Sequence, residues 1–195
     1  DLTATPKKES NIISYVDAVQ LKNEHMVKLP VIVYNRDSQS EVLIDAIDLR
    51  NKLEEIASAE YAKTGKYIRP IALFQAQPKG KEDATTFEKL RDKLVDAGIP
   101  AEQIAIRTAD VNELKNVELM SLSCPIRYII TVNALKEGWD CPFAYILASL
   151  ANKTSQVDVE QILGRILRLP HTSQHTQSAL NMSYVLTSSN DFNNT

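Results

Sequence analysis

The chain has 195 residues, enough for one sizeable core or for a domain with an arm. With 44% hydrophobic and 24% charged residues, its composition is that of a globular domain and not of a disordered or fibrous chain. A net charge of −3 excludes binding to nucleic acid through a bulk basic field, so any such contact must be local.

Asp17 to Met26 reads as a short helix. Val27 to Tyr34 reads as an extended segment, with Pro30 placing it at a strand start or an edge. Ser40 to Gly65 is the clearest helix: Val42, Leu43, Ala46, Ile47, Leu53, Ile56 and Ala57 recur at helical spacing, and Gly65 supplies a stop. Ile71 to Gln75 is a compact apolar strand, followed by a loop from Gln77 to Lys81. Asp83 to Ala97 is a second helix, with Phe87, Leu90, Leu94 and Ala97 turned inward. Ile104 to Thr108 is a strand, and Ala109 to Ser123 reads as short helix and loop. Arg127 to Asn133 is the strongest strand, and Phe143 to Ala148 is another. Ser155 to Leu169 reads as a helix, His171 to Ser178 as a polar loop, and Met182 to Thr187 as a last strand. Strands alternate with helices, which predicts an α/β three-layer sandwich around a mainly parallel sheet. Ligands of such sheets gather at the carboxyl ends of the strands. Function is therefore expected in the loops after Phe74, Thr108 and Asn133, and at the start of the Ser155 helix.

That helix carries the first motif. Ser155 with Asp158 fits a capping box, and Pro170 fits a stop. At about 100° per residue, Gln161, Gly164, Arg165 and Arg168 fall on one stripe, opposite Val159, Ile162, Leu163, Ile166 and Leu167. Paired guanidinium groups suit phosphate, because the planar fork matches phosphate oxygens and keeps its charge. By itself the pattern is also that of an ordinary amphipathic helix with solvated arginines. The second motif is Thr131-Val-Asn-Ala-Leu-Lys-Glu-Gly-Trp-Asp-Cys-Pro142. Its strand ends in Thr131 and Asn133, which bring a hydroxyl and an amide to the ligand edge. Gly138 permits a backbone turn near a ligand, and Asp140 offers a carboxylate to a ribose hydroxyl or to an arginine. Alone, this stretch also reads as a loop anchored by Trp139, with Asp140 as a turn former.

Together the two stretches resemble motifs V and VI of superfamily 2 helicases and translocases. Thr131, Gly138, Asp140 and Pro142 fit T-x(6)-G-x-D-x-P, and Gln161, Gly164, Arg165 and Arg168 fit Q-x-x-G-R-x-x-R. Ala134 to Pro142, taken with Gly164 to Arg168, is closer still to the restriction subunit of type III restriction enzymes and related DEAD/DEAH-type proteins. Pro70 to Gln77 sits where motif IV belongs, Gly98 to Thr108 resembles the segment between, and Leu180 to Val185 resembles the strand after motif VI. The resemblance runs from about Asp17 to Phe192.

The resemblance implies a second RecA-like lobe, with residues 1–38 as the lead-in from a first lobe and 39–195 as the lobe itself. It implies ATP and Mg²⁺ in a cleft against that first lobe. Arg165 and Arg168 would reach the γ-phosphate, an arginine-finger role worth on the order of 10³ or more in rate. Gln161, Gly138 and Asp140 would line the nucleotide side. Thr131, Asn133, Gln75 and Gln77 would contact the DNA backbone, where neutral polar groups are usual tools. The implied partners are the first lobe, DNA and a methyltransferase subunit.

No G-x-x-x-x-G-K-[ST] loop occurs in these residues, and the nuclease domain that the resemblance places after the second lobe is not expected among them. The chain alone is thus expected to hold half an active site, to bind no nucleotide tightly and to have no useful ATPase. The alternative reading is a non-motor RecA-like module that docks a protein or a nucleic acid. Cys124 and Cys141 form no C-x-x-C pair, no signal peptide is visible, and no apolar run approaches the ~18 residues of a membrane helix. A cytoplasmic protein away from membranes is expected. His171 and His175 lack the spacing of a zinc finger or an H-E-x-x-H site, so a solvated loop and no metal are expected there. Cys141 is expected to pack as a small buried side chain. Glu54, Glu55, Lys63 and Lys66 are expected on an exposed helix face.

Overall fold

The computed structural model describes residues 18–77, 86–132, 140–150 and 166–188. Asn133, Gly138, Gln161, Gly164 and Arg165 lie outside them, as do Lys79 and Lys81. Apolar runs bounded by polar or turn-forming residues become six strands: β1 (Val31–Asn35), β2 (Ile71–Gln75), β3 (Ile104–Arg107), β4 (Tyr128–Thr131), β5 (Ala144–Ser149) and β6 (Ser183–Thr187). They form one sheet in the order β1-β6-β5-β2-β4-β3, and every neighbouring pair is parallel. The chain steps outward through β1, β2 and β3, then returns through β4, β5 and β6 to fill the gaps. β2, β4 and β5 are buried along their whole length, which is why they read as unbroken apolar runs and not as alternating ones. The architecture is the expected α/β sandwich, and its parallel sheet is consistent with a RecA-like lobe.

Helices cover this sheet. α1 (Ala18–Asn23) precedes it. α2 (Gln39–Thr64) packs on β5, β6 and β2 through Val42, Ala46, Leu53 and Ala57, all fully buried. Its start is fixed by a reciprocal cap. Ser38 Oγ accepts the Glu41 N–H at 3.2 Å, and the Glu41 carboxylate accepts the Asp37 N–H at 3.0 Å. Its end is fixed by Gly65 at φ 71°, whose N–H donates to the Tyr61 carbonyl at 2.8 Å. α3 (Phe87–Asp96) packs on β4 through Leu90 and Leu94. Ala97, expected inward, is exposed because the helix has already ended.

Three further expectations are corrected. The stretch after β3 contains turns and no α-helix: Thr108 Oγ accepts the N–H groups of Asp110 (3.3 Å) and Val111 (3.0 Å), a local arrangement that competes with helix. Glu54 is half-buried, not merely solvated, and takes the Arg127 guanidinium at 2.9–3.0 Å as well as that of Arg50. Most important for function, the helix expected to run to Leu169 does not include Arg168. Ile166 is helical, but Arg168 sits in an antiparallel bridge with Val27. Lys28 N–H donates to the Leu167 carbonyl at 2.5 Å, and Leu169 N–H donates to the Met26 carbonyl at 2.9 Å. These bonds use main-chain groups that a longer helix would need. Leu169 is also extended (φ −77°, ψ 129°), as a residue before proline prefers.

Candidate functional site

The carboxyl edge of the sheet ends in a polar row. The register pairs Asn35 with Thr187, Thr187 with Ser149, Ser149 with Gln75, Gln75 with Thr131, and Thr131 with Arg107. Paired residues of parallel strands point to one face, so the row crosses all six strands on a single side. One position earlier, the row Tyr34, Leu186, Ala148, Phe74, Ile130 and Ile106 is essentially apolar. The change from core to hydrogen-bonding chemistry thus takes place across one residue in every strand. Ser149 Oγ donates to Gln75 Oε1 at 3.1 Å, and the Asn35 Oδ1 atom is buried with no partner among the described residues. A buried acceptor without a partner is costly unless a ligand or water completes it.

The expected site residues divide at this edge. Gln75 and Thr131 belong to the row but are buried, at 5% and 1% exposure. Gln77 is also buried, and its side-chain amide donates to the Leu150 carbonyl at 3.0 Å, where the Gln39 amide donates too at 2.8 Å. The two glutamines shape the edge and present little of themselves to a long backbone ligand. Asn133, Gly138, Gln161 and Arg165 fall outside the described residues.

Asp140 and Arg168 meet. Arg168 Nη1 lies 2.6 Å from Asp140 Oδ2, although the residues are 28 apart in the chain. The guanidinium side chain is 68% exposed and the carboxylate 35%. An ion pair this exposed is worth only about 0–1 kcal/mol and exchanges readily for another anion. Asp140 also lines a cavity of about 600 Å³ with Arg107, Leu114, Met120 and Ser121. Asp140 precedes β5 and Arg168 is bridged to Val27 ahead of β1, so the ion pair lies at the amino ends of the strands, opposite the polar row and not, as expected, at the carboxyl edge.

Sequence reading missed Asn35, Ser149, Thr187 and Arg107. One signal could have found them: each is the polar residue that closes an apolar run. It also missed Lys28, a buried lysine for which the sequence carries no such signal. Away from this edge, burial pushes the Cys141 thiol up to about 11, so it packs as a neutral side chain. His175 is buried, contrary to the solvated loop expected. Among the described residues, no group of three or more His, Cys, Asp or Glu is placed to hold a metal ion. No described helix is long and apolar enough to cross a membrane. No protein-family model matches the chain, and no curated protein matches it.

Proposed function

We propose that this chain is the second RecA-like lobe of an ATP-dependent DNA helicase or translocase, of the kind found in the restriction subunit of type III restriction enzymes. The observation that carries the reading is the Arg168–Asp140 pair. It joins the two stretches that resemble motifs V and VI, and it leaves the guanidinium largely in solvent. In this reading ATP and Mg²⁺ are held by a first lobe across a cleft, with the metal balancing phosphate charge. Arg168 then exchanges the Asp140 carboxylate for the γ-phosphate, an acceptor of higher charge that a guanidinium can grip through two bonds. Arg165, three residues earlier in the sequence, shares that role in this reading. The polar row lies at the opposite, carboxyl edge, where α/β proteins collect ligands, and in this reading that edge with Thr131 and Gln75 is the side for the DNA backbone. The cytoplasm is the compartment proposed, and DNA and a methyltransferase subunit are the partners proposed.

The test is Arg168→Ala and Arg165→Ala in a protein that carries both lobes. DNA-stimulated ATP hydrolysis should fall by about 10³-fold in each, with nucleotide binding largely retained. Hydrolysis within a few-fold of the parent in both variants would falsify the motor reading.

A further inference from the structure

Lys28 is fully buried, in the segment that leads into β1. Its ammonium donates to three carbonyl oxygens: Pro142 at 2.7 Å, Ala144 at 2.9 Å and Arg168 at 2.8 Å. An ammonium has three donors and no acceptor, so these carbonyls use all of its capacity. It also lies 4.4 Å from the centroid of the Tyr145 ring. Burial pulls its pKa down to about 7, while the nearby Cys141 and Asp140 pull the other way. A neutral amine could donate to only two of the three acceptors. A cation buried on neutral carbonyls is an expensive way to fill space that a methionine would fill more cheaply. The arrangement therefore calls for a role other than packing.

The three acceptors supply it. Pro142 and Ala144 lie two and four residues after Asp140, and the third acceptor is the main chain of Arg168 itself. Around the same lysine, the main chain of residues 26–28 bonds to that of 167–169 and forms the Val27–Arg168 bridge. One side chain thus joins the lead-in segment to the main chain of Arg168 and to the stretch that follows Asp140.

We propose that Lys28 is a positioning residue for Arg168 and Asp140, holding both in fixed relation to the segment that leads into the lobe. The proposal rests on the motor-lobe reading. It gives that reading a mechanical consequence: displacement of the lead-in segment moves the candidate arginine with it.

The experiment uses the intact two-lobe protein with Lys28→Met, which keeps side-chain length and removes the side-chain donors. Folded fraction is measured in parallel, and rates are expressed per folded molecule. The expected result is a fall in kcat of about tenfold or more with KM for ATP within about twofold, since the arginine acts after binding. Hydrogen exchange should also quicken in peptides covering 140–144 and 166–169. A purely structural lysine would lower the folded fraction and leave kcat per folded molecule unchanged, and that outcome overturns the proposal. If Lys28→Met does not fold, Lys28→Gln, which keeps two donors, is put through the same measurements with the same two outcomes. Absence of DNA-stimulated ATPase in the unaltered two-lobe protein overturns the motor reading instead, so the two failures are told apart.

Discussion

Arg69 and Arg168 are the same residue type in opposite circumstances. Arg69 is 1% exposed. Its guanidinium donates to the carbonyls of Ile126 and Ser121, each at 2.8 Å, and to that of Leu119. It also reaches the Tyr67 hydroxyl at 3.3 Å. Every acceptor but that hydroxyl is main chain of the turn region before β4, so Arg69 fastens that region to the start of β2. Among the described residues, the Arg168 guanidinium has one ion-pair partner, the Asp140 carboxylate. The first arginine is held by the fold, and the second is largely exposed to solvent. Residue type therefore says little about role, and the supply of fixed acceptors says much.

The largest expected effect breaks this comparison on the Arg69 side. Arg69→Ala leaves several buried carbonyls without donors, and the unfolding free energy should drop by about 3–4 kcal/mol. Arg168→Ala should change it by less than about 1 kcal/mol. Denaturant titration of both variants decides. Similar losses in the two would mean that the exposed pair is as structural as the buried one.

A second buried cluster offers an effect of intermediate size. The Glu60 carboxylate accepts the Thr176 N–H at 2.9 Å and the Thr176 hydroxyl, and lies 3.8 Å from His175 Nδ1. Burial pushes the Glu60 carboxyl up, but the two Thr176 donors and His175 outweigh it and hold its pKa below the usual value. Burial holds His175 below its ordinary value, with Glu60 pulling upward and His171 and Lys66 pulling downward. Both groups have a folded pKa lower than the unfolded one. Each therefore contributes stability that is present above its unfolded pKa and lost as pH falls through its folded pKa. Loss should begin below about pH 6.5 from His175 and continue below about pH 4.5 from Glu60. The slope for one proton is at most about 1.4 kcal/mol per pH unit. His175→Phe, which cannot titrate, should flatten the first part of the acid profile and leave the second. An unchanged profile between pH 6.5 and 5 would show that His175 does not carry it.

The contrast between the two arginines also explains how much could be read from the sequence. The six strands, the long α2 and the parallel α/β class were legible, because periodicity and turn residues are local signals. The polar edge was legible in pieces: Thr131 and Gln75 stood out, but the row as a whole depends on register between strands far apart in the chain. Arg168 was placed on a helix by its spacing, and main-chain pairing with residues 26–28 overrode that local preference. Lys28 lies in an extended segment between Val27 and Leu29 and is the most buried of the three, with no local pattern to mark it. His175, expected in a solvated loop, is buried as well, against Glu60 of α2. A charged side chain declares itself buried only through partners that the fold brings from elsewhere.

The smallest expected effect tests the exposed side of the comparison. If Asp140 only holds Arg168 between turnovers, Asp140→Asn removes a competitor for the guanidinium and not a reacting group. An exposed pair worth about 0.5 kcal/mol corresponds to roughly twofold in an equilibrium. In the two-lobe protein, kcat should therefore rise by about twofold while KM for ATP stays within about twofold of the parent, since the arginine acts after binding. Added salt should reproduce part of this change in the parent and little of it in the variant, because screening weakens an exposed pair first. A collapse of kcat like that expected for Arg168→Ala would instead place the Asp140 carboxylate among the groups needed for turnover, and the exchange of one anion for another would no longer describe the site.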